Sequence, residues 1–350
     1  MTGVWIVLGI AALLLAGILC YAHRNLNYDK TPLRKAYRAG FTEKKAILPD
    51  GTVLNYGEGP AGGPPLLLIH GQGVSWEDYA KVLPALARRF HIFAVDCHGH
   101  GESSVDPAKY SAEAMGRDFV QLIRQVIGEP AFVSGHSSGG LMTVWLAGKA
   151  PEWVRGIVIE DAPLFSTEAG EKENTFAYRE NFCRIHDFLG QSEEPDYLTY
   201  MLEHSCWGTL FGSGWPKILK SLQRFRARHP GEAPKVWWLP PSINRIWESI
   251  SHPYDPGFGE VFYDQSWFAG FDQAQTLAAI RCPAVFLKAT TNWKDGVLMA
   301  ALSEEDTERV CALLPGCRRI DVKSGHDIHD EHPKVFAGAL LELLENEKQP

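Results

Sequence analysis

One pentapeptide constrains this chain more than any other feature. Gly135-His136-Ser137-Ser138-Gly139 lies between a strand-like run, Ala131-Phe132-Val133-Ser134, and a helix-like run opening at Gly140-Leu141-Met142. Glycines at its ends let a strand turn sharply into a helix, and the turn pushes the Ser137 side chain out of the chain path. The helix N-terminus behind it offers free backbone N–H groups and a positive dipole end, both suited to a developing oxyanion. Alone, the pattern also occurs in incidental glycine-rich turns. Its setting on strand, turn and helix gives it weight.

Short apolar runs recur along the chain. Lys44–Leu48 and Thr52–Tyr56 read as a hairpin across Pro49-Asp50-Gly51. Pro65–Ile69, His91–Val95, Ala131–Val133, Val154–Ile159, Ala284–Leu287 and Arg319–Val322 read as further strands. Helical patterns such as Ala112–Ile127 and Leu141–Ala150 stand between them. Continuous apolar strands alternating with helices predict an α/β chain whose mostly parallel sheet is covered on both faces. Chemistry in such sheets gathers at the carboxyl ends of the strands. Leu164–Ile280 breaks the rhythm. It is rich in aromatics and proline, lacks a clear apolar strand, and reads as an insertion between two sheet strands.

Val4–Ala22 is apolar throughout. At 1.5 Å per residue it spans roughly 28 Å of helix, close to the hydrocarbon thickness of a bilayer. No basic residue precedes it, whereas Arg24, Lys30, Arg34, Lys35, Arg38, Lys44 and Lys45 follow, against only Asp29 and Glu43. This bias favours an uncleaved anchor at residues 1–23 over a cleaved signal peptide. The expectation is a single-pass protein held in the membrane through residues 4–22, with its catalytic part in the cytoplasm. Residues 24–40 then read as a basic linker. A formal net charge of −8 argues against nucleic-acid binding. Seven cysteines without a CxxC pair exclude a disulfide framework and a zinc ribbon.

From about residue 40 to 345 the chain resembles the α/β-hydrolase superfamily. His70-Gly71-Gln72-Gly73 after a strand carries the resemblance, with Asp96-Cys97-His98-Gly99-His100-Gly101-Glu102-Ser103, the Ser137 pentapeptide and Gly325-His326. The family usually has an Arg where Cys97-His98 stand. The resemblance implies an eight-stranded, mostly parallel sheet flanked by helices. It divides the sheet domain into 41–163 and 281–350, around a mainly helical cap at 164–280. It further implies an oxyanion hole built from the backbone N–H groups of Gln72 and Ser138, with a structural role for the His70 side chain.

A serine hydroxyl is a poor nucleophile until a neighbouring imidazole takes its proton. Among thirteen histidines, the family pattern selects His326, which follows the strand Arg319–Val322. His329 and His332 lie nearby, and His-rich tracts can bind metals. The spacing is not HExxH, however, and Pro333 starts a new helix, so neither a metal nor a cofactor is expected. The acid falls between the serine and the histidine in chain order. Asp295, on the loop after Ala284–Leu287, is favoured. Asn292 stands nearer the usual position, but only a carboxylate stabilises an imidazolium by charge. Asp161, ending the preceding strand, is the alternative. Asp306 is assigned instead to a helix capping box that opens at Ser303.

The insertion carries Trp207, Trp215, Trp237, Trp238, Trp247 and Trp267, with Phe262, Tyr263, Phe268 and Phe271. Most are expected in its own core, with two or three lining an apolar pocket. Lys217–Arg228 reads as a basic amphipathic helix, expected to dock on the protein more readily than on anionic lipid. The expected function is a membrane-anchored serine hydrolase cleaving a lipophilic carboxylic ester or related acyl compound through an acyl-enzyme on Ser137. Two alternatives stay open: a non-catalytic ligand-binding protein on the same fold, and a thioesterase, C–C bond hydrolase or acyltransferase with the same triad.

Overall fold

The computed structural model of the chain describes residues 2–251 and 253–347. Ten strands are present among them: β1 Thr42–Ile47, β2 Val53–Glu58, β3 Pro65–Ile69, β4 His91–Val95, β5 Ala131–His136, β6 Val154–Glu160, β7 Ala284–Lys288, β8 Trp293–Lys294, β9 Val297–Leu298 and β10 Arg318–Asp321. Eight form one sheet in the order β1-β2-β4-β3-β5-β6-β7-β10. β1 and β2 pair antiparallel, as do β2 and β4; every other neighbour is parallel. The mostly parallel eight-stranded sheet flanked by helices is therefore as expected. All five residues of β3 and all six of β5 are buried. Continuous apolar runs are what strands covered on both faces require.

Helices cover both faces. Helix Ser138–Lys149 packs on one face, where Leu141, Val144 and Leu146 meet Val133, Ile157 and Phe286. Helix Pro333–Asn346 packs on the other, where Phe336, Leu340 and Leu343 join Leu66, Leu68 and Leu287. Burying each such side chain contributes roughly 1.5–3 kcal/mol.

Between β6 and β7 the chain is helical, as read from its lack of an apolar strand. Trp207, Trp215 and Trp247 form a small core of their own with Leu198, Leu202 and Leu222. Leu222 and Trp215 belong to helix Trp215–Arg228, whose apolar side is thus occupied by protein, while Lys217, Lys220, Arg224 and Arg228 face outward.

Residues 24–40 depart from the linker expectation. The apolar N-terminal helix runs on to Leu26, and a second helix covers Lys30–Arg38. Ala36 of the second helix is fully buried among Phe41, Trp76 and Leu83. Its basic residues masked an apolar stripe too short to read by periodicity.

Candidate active site

The tight turn at Ser137 follows from its two glycines. A Cβ on Gly135 would collide with the Gly139 carbonyl, and one on Gly139 with the Ile69 carbonyl of the neighbouring strand. Without them the helix closes to the sheet edge, and Ser137 is left at φ 55°, ψ −121°. A positive φ on a non-glycine residue costs of order 1–3 kcal/mol and persists only where surrounding contacts enforce it. Here Ser137 N–H donates to the Glu160 carbonyl at 3.0 Å, and the Ser137 carbonyl accepts from Gly140 at 2.9 Å. Ser138 opens the helix, so its N–H has no intrahelical partner. Gly71 lies close enough that a Cβ there would stand 3.1 Å from the Ser137 Cβ. The small loop residue thus lets Gln72 approach the same point. The Gln72 side chain donates to the Tyr254 hydroxyl, which ties this loop to the inserted helices. His70 is fully buried, with Nε2 accepting from Cys97 N–H at 2.9 Å, a structural use of the side chain.

Asp161 holds His326. Its Oδ2 lies 2.7 Å from His326 Nδ1, and its Oδ1 accepts from Ala289 N–H at 3.0 Å. Asp161 is 1% exposed, while the His326 side chain is 42% exposed on the other side of that bond. Burial alone would raise the Asp161 pKa, but the hydrogen bond and charge of His326, with Lys288 behind, lower it overall. Burial would likewise depress His326, and the Asp161 hydrogen bond and charge overcome it, so its pKa is raised. With Nδ1 engaged by the carboxylate, Nε2 remains to exchange a proton, the tautomer a general base needs.

Asp295 is not brought to this site. Trp293 pairs with Leu298 and Lys294 with Val297, so Asp295-Gly296 is the two-residue turn of the β8–β9 hairpin. Both turn residues have positive φ, 51° and 75°. Asp-Gly is favoured in just such a turn because the mirror-image geometry matches strand twist. The exposed Asp295 carboxylate makes no hydrogen bond with His326 among the described residues. Asp306 does form the expected capping box with Ser303.

Behind His326 lies a buried ionic network centred on His329. His329 is fully buried, its Nδ1 2.9 Å from Glu160 and its Nε2 3.0 Å from Asp78. Burial pulls the His329 pKa down, but the two carboxylates outweigh it and hold it well above its ordinary value. Asp78, His136 and His329 could be taken for metal ligands, since their donor atoms lie within 4.8 Å of one another. Both His329 nitrogens are already engaged by carboxylates, which fits an imidazolium rather than a ligand. His332 stands apart, its Nε2 3.1 Å from the Lys323 carbonyl. His136 packs on His326 with ring centroids 4.4 Å apart. Burial, then the charge of His326, push its pKa down to about 3, so it stays neutral.

Ser137, Ser138, Gln72 and His326 open into one cavity of about 990 Å³. Its apolar wall is Phe176, Phe182 and Phe262 with Ile246 and Met299. Of the insertion's rings singled out above, Phe262 lines it, and none of the six tryptophans does. Trp247 and Trp267 are fully buried in packing, whereas Trp237 and Trp238 are 47% and 42% exposed.

A sequence profile of the alpha/beta hydrolase family matches residues 66–339. The human serine hydrolase-like protein is 29% identical over 163 residues, 45% of this chain and 78% of that protein. The magnesium-chelatase 30 kDa subunit of Rhodobacter capsulatus is 34% identical over 121 residues, which is 34% of this chain and only 42% of that one. A bacterial membrane phospholipase A superposes over 100% of both chains with a TM-score of 0.60 at 19% identity, a likeness of fold. Strand order, the strained serine between β5 and its helix, and a profile spanning most of the sheet domain agree: this chain is a member of the alpha/beta hydrolase family.

Proposed function

We propose that the chain is a membrane-anchored serine hydrolase that cleaves a lipophilic carboxylic ester or related acyl compound through an acyl-enzyme on Ser137. The observation that carries this reading is the Asp161–His326 hydrogen bond, with His326 lining the same cavity as Ser137. His326 Nε2 takes the Ser137 hydroxyl proton as the oxygen attacks the acyl carbon. The oxyanion sits between the N–H groups of Gln72 and Ser138, each lowering the barrier by roughly 3 kcal/mol. Collapse of the adduct expels the alcohol, which leaves with the proton from His326. Water, deprotonated by the same nitrogen, then releases the acid and restores Ser137. The phenylalanine wall favours an apolar acyl or alcohol part.

The N-terminal helix Gly3–Leu26 is long and apolar enough to cross a bilayer, as an anchor or a signal sequence is. Our reading is the anchor, with the catalytic part cytoplasmic. The basic residues behind the helix support it, and so does helical continuity past residue 22, where Asn25 Nδ2 donates to the Trp237 carbonyl at 3.0 Å.

A fluorophosphonate probe is expected to label the purified wild-type chain and to leave Ser137→Ala unlabelled. A folded wild type that takes no label overturns the reading and leaves a ligand-binding protein on a hydrolase fold. The pH dependence follows from His326. Catalysis needs its neutral form and Asp161 raises its pKa, so kcat/KM for a soluble ester should rise with pH through a midpoint above about 6.5. His136, at about 3, adds no second step in that range.

A further inference from the structure

Part of the cavity wall comes from an unexpected place. His23, Arg24, Asn27, Tyr28, Thr31 and Pro32 line it, from the last turn of the apolar helix through the connection to the first turn of the helix that follows. This wall is fastened to the inserted helices. Asn25 is fully buried; it donates to the Trp237 carbonyl at 3.0 Å and accepts from Asn244 Nδ2 at 3.4 Å. The Tyr21 hydroxyl donates to the Trp238 carbonyl at 3.4 Å, and Lys235 pairs with Asp29 at 2.9 Å.

The length of the apolar helix sets the height of this joint. Its 24 residues, Gly3–Leu26, rise about 36 Å, against about 30 Å of hydrocarbon. The last turn, with His23 and Arg24, therefore emerges at headgroup level. The cavity wall begins in that same turn. Beside it the insertion exposes Trp237 and Trp238, and Ile246 is 45% exposed where the cavity meets the surface. Tryptophan is enriched at this depth of a bilayer because its ring is apolar and its N–H stays hydrated.

We infer that Trp237 and Trp238 seat the cap on the bilayer surface, so that the cavity mouth faces the leaflet and takes its ester substrate directly from the membrane. The occupant is an acyl lipid of the bilayer, whose chain passes from the leaflet along residues 23–32 and Ile246 to Ser137. This rests on the anchored serine hydrolase proposed above.

The test uses the full chain in phosphatidylcholine vesicles with two substrates, nitrophenyl oleate in the vesicles and nitrophenyl butyrate in solution. The double variant Trp237→Glu with Trp238→Glu is expected to lose about tenfold on the oleate while hydrolysis of the butyrate stays within about twofold. The double variant Trp237→Phe with Trp238→Phe should keep the oleate rate near that of wild type. Equal loss on both substrates, or no loss on either, overturns the inference. A wild type that takes no fluorophosphonate label removes the hydrolase reading, and a labelled wild type that does not stay with the vesicles removes the anchor. Either result also overturns the inference, and each is distinct from a labelled, vesicle-bound enzyme that is indifferent to the tryptophans.

Discussion

Asp161→Asn is expected to lower kcat/KM for a soluble ester by about ten-thousandfold, while Asp295→Asn leaves it within about twofold. The contrast rests on the two environments. Asp161 is buried, accepts from Ala289 N–H through one oxygen and holds His326 Nδ1 through the other. An amide in its place can present its NH2 group to Nδ1, which favours the tautomer that protonates Nε2 and blocks it as a base. Asp295 fills an exposed hairpin turn where an asparagine keeps the geometry. Rates on nitrophenyl butyrate, measured beside fluorophosphonate labelling, separate the two. The pH midpoint gives a second readout: without the Asp161 charge, the residual activity should titrate at a lower pH than wild type. Loss of activity in Asp295→Asn, with Asp161→Asn unaffected, would reverse the assignment of the acid.

That contrast also marks how far the sequence could be read. Strands β3 and β4 are legible to the residue, because a buried parallel strand is a continuous apolar run with sharp ends. Ser137 and His326 are legible because each is tied to a local strand-and-turn pattern. The Asp161–His326 contact spans 165 positions of chain, and few local cues encode which of two strand-end loops reaches the imidazole. A local signal was present all the same. Asp295-Gly296 between Trp293-Lys294 and Val297-Leu298 is a hairpin signature, a pattern of exposed turns that the reading above passed over. The cavity wall at residues 23–32 was hidden differently. Its basic residues read as solvated linker, and only the tertiary fold brings the last turn of the apolar helix against Trp237 and Asn244. Most of the insertion's tryptophans are buried, as expected, but composition does not show which of its rings reach the cavity.

The buried network gives the largest expected effect on stability. His329→Leu should lower the free energy of unfolding by about 3–5 kcal/mol, the cost of leaving a buried charge without its partner. Glu160 is fully buried at the end of β6 and meets both Nδ1 and the backbone N–H of His329; removing the imidazole strands it. Asp78 is spared the full cost because Arg245 stands 3.7 Å from it. Adding Glu160→Leu to His329→Leu should recover much of the loss, since an apolar pair needs no compensation, whereas a mere packing defect would deepen with the second substitution. Protonation sets the pH at which the gap is seen. His329 has a raised pKa in the folded chain, so its contribution is fully present below about pH 6.5 and fades as pH rises through the higher folded value. The deficit of His329→Leu, followed by urea unfolding with tryptophan fluorescence, should therefore be larger at about pH 6 than at strongly alkaline pH. A deficit that does not change with pH would mean that His329 is neutral in the fold and serves only to fill space. Because Glu160 directly precedes Asp161, the same substitution should also weaken the hold on His326. Loss of hydrolysis at denaturant concentrations where the chain is still folded would show that the network positions the acid as well as stabilising the core.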